Sequence, residues 1–279
     1  MLIAALAAAS ALATPVAAVQ GPPGPPGQTP TGWTFSAGFG GFYAPAFQGA
    51  DEYQLIAAPN ISVAYGTRFS FSPQGGARFV ALRNGGLEAG PIARVDFGRP
   101  EDGDNPLRIA GQGGDDLQGL GDVDPTPEFG GFVTYRTRPF TVSLEARQGV
   151  GGHEGFVADA AVRAGRPLMI GGRRVIASAG PRLRVGSEDY AQTFFGVTEV
   201  QSARSGLRAY DADGAFFSYG FGATATLPFG KRAAATFIAG YDRLGETAAD
   251  SPIVDDLGSA DQFAVGALVT WRFGGGARR

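Results

Sequence analysis

QFAVGALVTWRF, residues 262–273, decides the fold of this chain. Phe263, Val265, Ala267, Val269, Trp271 and Phe273 fall on every second position, and Gln262, Ala264, Gly266, Thr270 and Arg272 fill most of the positions between. Successive side chains of a strand point to opposite faces, so the segment reads as a strand with one apolar face and one small or polar face. Other windows repeat the pattern. Leu87, Ala89, Pro91, Ala93, Val95 and Phe97 oppose Glu88, Arg94 and Asp96, and Phe140, Val142, Leu144 and Ala146 oppose Thr141, Ser143, Glu145 and Arg147. Val175, Ala177, Ala179, Pro181, Leu183 and Val185 oppose Ser178, Arg182 and Arg184.

Strands of this kind suit a soluble β-sandwich or a transmembrane β-barrel. Two features favour the barrel. Aromatic residues gather at strand ends, where membrane interfaces lie, and tight connections alternate with long, polar, acidic ones at 99–127, 186–214 and 244–259. Outer-membrane barrels have short periplasmic turns and long outer loops, and closure is what a bilayer demands of a sheet. Eleven windows are recognisable, near 32–43, 54–65, 68–82, 86–98, 127–138, 140–150, 155–166, 173–186, 215–228, 232–243 and 260–273. A bacterial barrel with both termini inside needs an even number. The missing reversal is placed at Pro73-Gln74-Gly75-Gly76, inside the long third window, where Pro removes a donor and paired glycines permit a turn. The expected fold is therefore all-β, an antiparallel transmembrane β-barrel of twelve strands, with ten as the alternative.

The first nineteen residues carry no charged side chain and lead through Val16-Ala17-Ala18, a small-residue pattern that signal peptidase accepts. Residues 1–18 are expected to be a cleaved signal peptide, the competing reading being a single membrane anchor. Residues 19–31 form a Pro/Gly-rich periplasmic leader, 32–273 the barrel and 274–279 a flexible tail. The 279 residues carry a net charge of −3, which gives no basic signal for nucleic acid. Cysteine is absent, which removes disulfides and thiolate metal sites.

Arg94, Asp96, Glu145, Arg147, Arg163, Arg182, Arg184 and Arg272 alternate with apolar positions. An Arg on the lipid face near the midplane costs about 2–4 kcal/mol, so these charges are expected in the lumen, either paired into a plug or lining a narrow pore. Phe263, Val265, Val269, Trp271 and Phe273 are expected to form the C-terminal assembly signal. His153, the only histidine, invites a general-base reading, but without a motif-like Ser its plain reading is an exposed loop residue. Glu101, Asp102, Asp104, Asp115, Asp116, Asp122 and Asp124 offer oxygen ligands for calcium. Their spacing lacks the order of an EF-hand loop, and a solvated, flexible loop is the expectation. No catalytic, cofactor-binding or metal residue is assigned.

Four stretches carry a resemblance: LQGLGDVDPTPEFGGF (117–132), GVGGHEGFVADAAVRAG (149–165), TFFGVTEVQSARSGLRAYDADGA (193–215) and YDRLGETAADSPIVDDLGSADQFAVGALVTWRF (241–273). They are similar to the MipA/OmpV family of MltA-interacting outer-membrane proteins. The resemblance implies a non-catalytic barrel in the outer membrane of a Gram-negative bacterium, in contact with lipid and lipopolysaccharide. It further implies a scaffold that links a lytic transglycosylase with a penicillin-binding murein synthase. A narrow channel for small solutes or antibiotics is the second reading.

Overall fold

The computed structural model describes residues 30–277, apart from 104 and 112–114. Residues 1–29, with the expected signal peptide and most of the leader, lie outside the described residues. The strands are β1 (Pro30–Pro45), β2 (Tyr53–Tyr65), β3 (Phe69–Ser72), β4 (Gly76–Phe79), β5 (Leu82–Asn84), β6 (Leu87–Asp96), β7 (Arg108–Gly111), β8 (Thr126–Thr137), β9 (Phe140–Gly149), β10 (Phe156–Ile170), β11 (Arg173–Gly186), β12 (Phe216–Phe229), β13 (Ala233–Leu244) and β14 (Asp261–Ala277). Apart from β5 and β7, strands that follow one another in sequence are neighbours in the sheet, all pairings are antiparallel, and β1 pairs with both β2 and β14. The sheet is therefore closed. β4 and β5 both pair with β6 and make one lane interrupted at Val80 and Ala81, while β7 adds to the outer end of β2, so the wall has twelve lanes. The extra reversal lies where Pro73 and the paired glycines predict it. β3 ends at Ser72, whose Oγ accepts from the Gly75 N–H at 3.0 Å, and β4 starts at Gly76 with a φ of +66°.

The alternation sorts side chains by medium. On β14, Phe263, Val265, Trp271 and Phe273 are exposed on the outside, whereas Gln262, Ala264, Leu268 and Thr270 are buried inside. Phe39 is 59% exposed and Phe237 55%, values that make sense for a surface solvated by hydrocarbon instead of water. Aromatic clusters mark the two interfaces. Trp33 packs on Tyr65 at 5.0 Å near the periplasmic end, and Tyr43 stacks on Tyr53 at 5.1 Å near the outer end.

Two sequence expectations need correction. The glycine-rich stretch after Phe273 is not a tail from residue 274: β14 continues to Ala277, paired with β1 through Thr34↔Gly274 and Pro30↔Ala277. Gly274 adopts a φ of +73° beside the register shift between Thr31 and Thr34, a backbone conformation open to glycine. Arg278 and Arg279 lie outside the described residues.

The long outer connections are also more than solvated loops. They contain helices α1 (Glu188–Phe195), α2 (Glu199–Ser205), α3 (Glu246–Ala249) and α4 (Pro252–Asp255). Tyr190, Ala191, Phe194 and Phe195 of α1 pack with Phe216, Leu244, Ala248 and Val254, and Phe47, Leu117, Leu120, Val197 and Ile253 form a second buried cluster beside them. Four outer connections thus share one apolar cap over the outer mouth.

Candidate functional site: a charge network under a closed cap

The barrel interior is divided by chemistry. Its periplasmic half is lined by small and hydroxyl side chains that satisfy one another, as in the pairs Ser178–Thr224 at 2.9 Å and Thr226–Thr236 at 3.1 Å. Its outer half holds charge. Arg147, at the centre, donates from Nε to Glu128 at 2.8 Å, from Nη1 to Glu145 at 3.2 Å and from Nη2 to Asp159 at 2.7 Å. Strand register places these groups together. Arg94 is directly opposite Glu128, Glu145 opposite Asp159, and Asp159 opposite Arg184.

Arg78 and Arg94 complete the coordination of Glu145, at 2.7 and 3.2 Å, and Arg184 Nε binds Asp159 at 2.8 Å. Arg78 also lies over the Phe132 ring, 4.1 Å from its centre. Four guanidinium groups, from Arg78, Arg94, Arg147 and Arg184, thus meet three carboxylates, from Glu128, Glu145 and Asp159, while Asp96 beside them accepts from the Gly98 N–H at 2.9 Å. Buried charges are tolerable only when paired and hydrogen-bonded, and this chain meets that condition by spanning β4 to β11. A second pair joins Arg182 to Asp242 through two hydrogen bonds, one of them 2.7 Å from Nε. Arg163 and Arg272 are half-buried on inner-facing positions nearer the periplasmic end.

His153 is not an exposed loop residue: it is 1% exposed. The turn Gly151-Gly152, both at positive φ, folds it inward beneath α1, where its ring meets Tyr190 edge-on at 5.2 Å and Phe194 at 6.0 Å. Burial pushes the Tyr190 hydroxyl pKa up, so this wall of the pocket is uncharged. His153 Nδ1 accepts the Gly155 N–H at 3.1 Å, which leaves the imidazole proton on Nε2. Nε2 faces Glu128 at 3.3 Å, and Asp96 completes a three-residue group with donor atoms within 4.8 Å of one another. A cation would need the Nε2 lone pair that this tautomer lacks, so the group fits a metal centre poorly, and Nε2 itself is buried without a hydrogen-bond partner among the described residues. Among the described residues the hydroxyl hydrogen-bonded to His153 is that of Thr126, which accepts from its backbone N–H at 3.1 Å and not from the ring.

The cap is fastened over this network. Arg99, 8% exposed, donates from Nη1 to the Phe194 carbonyl at 2.8 Å, and the Ser251 hydroxyl donates to the Phe195 carbonyl at 2.6 Å. These two carbonyls end α1 and lack helical partners, so a cation and a hydroxyl there satisfy them. Burial lowers the Arg99 pKa to about 10, which keeps it charged at neutral pH. In the acidic loop, Glu101 accepts from the Gly119 and Gly121 N–H groups at 3.1 and 2.9 Å, and Asp122 accepts from the Glu101 N–H at 2.8 Å. These two carboxylates hold the loop's own backbone. Asp116 and Asp124 are exposed, and Asp104 lies outside the described residues.

Sequence reading placed Arg94, Glu145, Arg147 and Arg184 on one side of their strands without naming their partners. It missed Arg78, Glu128, Asp159 and Asp242. Each of these also alternates with outward residues, Glu128 beside Phe129 and Asp159 between Ala158 and Ala160, so the same period-two test would have found them.

Residues 37–273 match the family model described as MltA-interacting protein MipA. Outer membrane protein OmpV of Vibrio cholerae serotype O1 is 41% identical over 87 residues, covering 31% of this chain and 32% of that protein. Outer membrane protein Omp26La of Vibrio anguillarum is 39% identical over 87 residues, again 31% and 32% of the two chains. The matches thus span about a third of the length of these relatives. Among solved structures, an outer membrane channel from Pseudomonas putida F1 aligns over 90% of this chain and 100% of its own, with a TM-score of 0.44 and 12% identity.

Proposed function

Because the chain belongs to the MltA-interacting protein MipA family, we propose that this outer-membrane barrel is a non-conducting scaffold that recruits murein-active enzymes at its periplasmic end. The observation that carries this reading is the occupied outer lumen. The Arg147-centred network links the inner faces of β4 to β11, and the two apolar clusters of the outer connections lie above it, an arrangement that supports a held shape over an open solute path.

The periplasmic rim offers the docking surface. Arg68, Arg138, Arg173, Arg174, Lys231 and Arg232 are exposed on four of its turns. Glu88, the acidic residue at this end among the described residues, is paired with Arg83 and Arg136. The net charge of −3 therefore conceals a separation, with most acids in the outer connections and a basic collar below. A basic collar attracts an acidic protein surface and screens with salt.

The test is binding of a purified lytic transglycosylase and a penicillin-binding murein synthase to the barrel in nanodiscs. Salt-sensitive binding of either, weakened by Arg173→Glu with Arg174→Glu, supports the scaffold. No binding of either enzyme at low salt contradicts it. The family description suggests the partner, and the charge network beneath the apolar cap supports the preference for a scaffold over a channel.

A further inference from the structure

We propose that the barrel wall contains a lateral notch between β2 and β6 that binds a single-chain amphiphile with an anionic head, taken from the membrane. The notch arises because the β3–β4 hairpin is too short for its place. β2 has 13 residues and β6 has 10, but β3 and β4 have four each. β2 pairs with β3 only at Val63–Tyr65 and with β7 only at Gln54–Ile56. Between those levels its one strand neighbour is β1. Across the notch, β4 reaches β6 only as far as Ala93, so Arg94, Val95 and Asp96 pair with β8 alone.

An unpaired strand edge is not stable in hydrocarbon unless its polar groups are covered or face a polar cavity. The sequence of β2 limits the problem. The Ala57 N–H points into this lane, where it donates to Leu107 at 2.9 Å, so residue 59 would point its N–H the same way. Residue 59 is proline and has no N–H to leave unpaired.

The two sides of the notch differ. Ile61, Phe71, Val95 and Ile109 are exposed around its outer rim. Inside, Asn60 is 8% exposed with its Oδ1 unpartnered, and a buried Nη1 of Arg108 also lacks a hydrogen-bond partner among the described residues. Arg108 is the cross-strand partner of inward-facing Ile56, so both orphan groups belong to the inner side of β2 and its extension. Arg94 closes the far side, held by the Gln74 carbonyl at 2.6 Å on the hairpin tip. The unpartnered Arg108 Nη1 is a donor that calls for an acceptor, and an acyl chain at the rim with a carboxylate or phosphate inside supplies it; Asn60 Oδ1, itself an acceptor, does not meet such a head as it stands. Asn60 can turn its amide to donate to the same head.

The experiment uses the full chain refolded in lipid vesicles and a palmitate carrying a mid-chain diazirine. After irradiation, peptide mapping is expected to concentrate adducts on residues 57–62, 95–97 and 107–111. Excess unlabelled palmitate or dodecyl phosphate should suppress them, and which of the two competes better identifies the head. Arg108→Ala and Asn60→Leu should each reduce labelling at least fivefold, while Arg243→Ala at the outer rim leaves it unchanged. The heat-dependent gel shift of folded barrels verifies each variant, and competition on the unmodified protein tests the site without any variant. Labelling spread evenly around the barrel belt, no suppression by either competitor, or equal labelling by a diazirine alkylammonium would each overturn the proposal.

Discussion

Glu145 and Asp159 oppose each other directly across β9 and β10, both on the inner face and both 2% exposed. Like charges in that register repel. Arg147 lies between them and bonds to both, so that one guanidinium bridges the pair that would otherwise repel. Arg147→Met is expected to destabilise the folded barrel by about 3–5 kcal/mol, the cost of leaving buried charge uncompensated. Urea unfolding in vesicles measures it. Adding Glu145→Gln and Asp159→Asn to the same variant should recover much of the loss, because the repulsion disappears with the charges.

Two glycines make room for Arg182, and they should differ in tolerance. A Cβ on Gly240 would stand 2.7 Å from Arg182 Nη2, whereas one on Gly222 would stand 3.4 Å from Nη1. The guanidinium is held by two bonds to Asp242 and cannot swing away freely. Gly240→Ala should therefore cost about 1–3 kcal/mol as overpacking, with Gly222→Ala costing much less. Unfolding midpoints of the two variants give the comparison.

The cap should loosen without unfolding the wall. Ser251→Ala removes the bond to the Phe195 carbonyl and the N-cap of α4, worth about 1–2 kcal/mol together. Limited proteolysis is expected to cut faster within 187–215 and 245–260, while the barrel's unfolding midpoint is unchanged. An unchanged cleavage rate would show that these bonds do not hold the cap.

Trp271 and Phe273 stand exposed at the periplasmic end of β14, with Phe263 and Val265 exposed towards the outer end and Val269 half-buried between them. As the proposed assembly signal, Phe273→Ala should lower the folded fraction in the outer membrane several-fold. Removing residues 278–279 should not. Truncation after Phe273 also deletes the pairing of Gly274–Ala277 with β1, so it should lower stability without preventing insertion.

Much of the wall was legible because a membrane barrel writes its pattern into every second residue. The strand windows at 140–150 and 173–186 fall almost on β9 and β11, and parity demanded one more reversal, which the turn chemistry of Pro73 and the paired glycines then located. The cap was not legible. Phe194, Phe195, Val197 and Ile253 sit singly or in pairs among acids and glycines, and their burial depends on loops far apart in sequence. His153 was misread for the same reason, since Gly151 and Gly152 turn it inward against a helix that starts 35 residues later. Net charge misled in another way, averaging an acidic outer end with a basic collar.

Single-channel recording of the full chain refolded into planar bilayers tests the closed lumen most directly. The account predicts a silent membrane for the native protein across both voltage polarities, and unitary steps only when the Arg147-centred network and the cap are disrupted together. Stable unitary conductance from the native protein would contradict it.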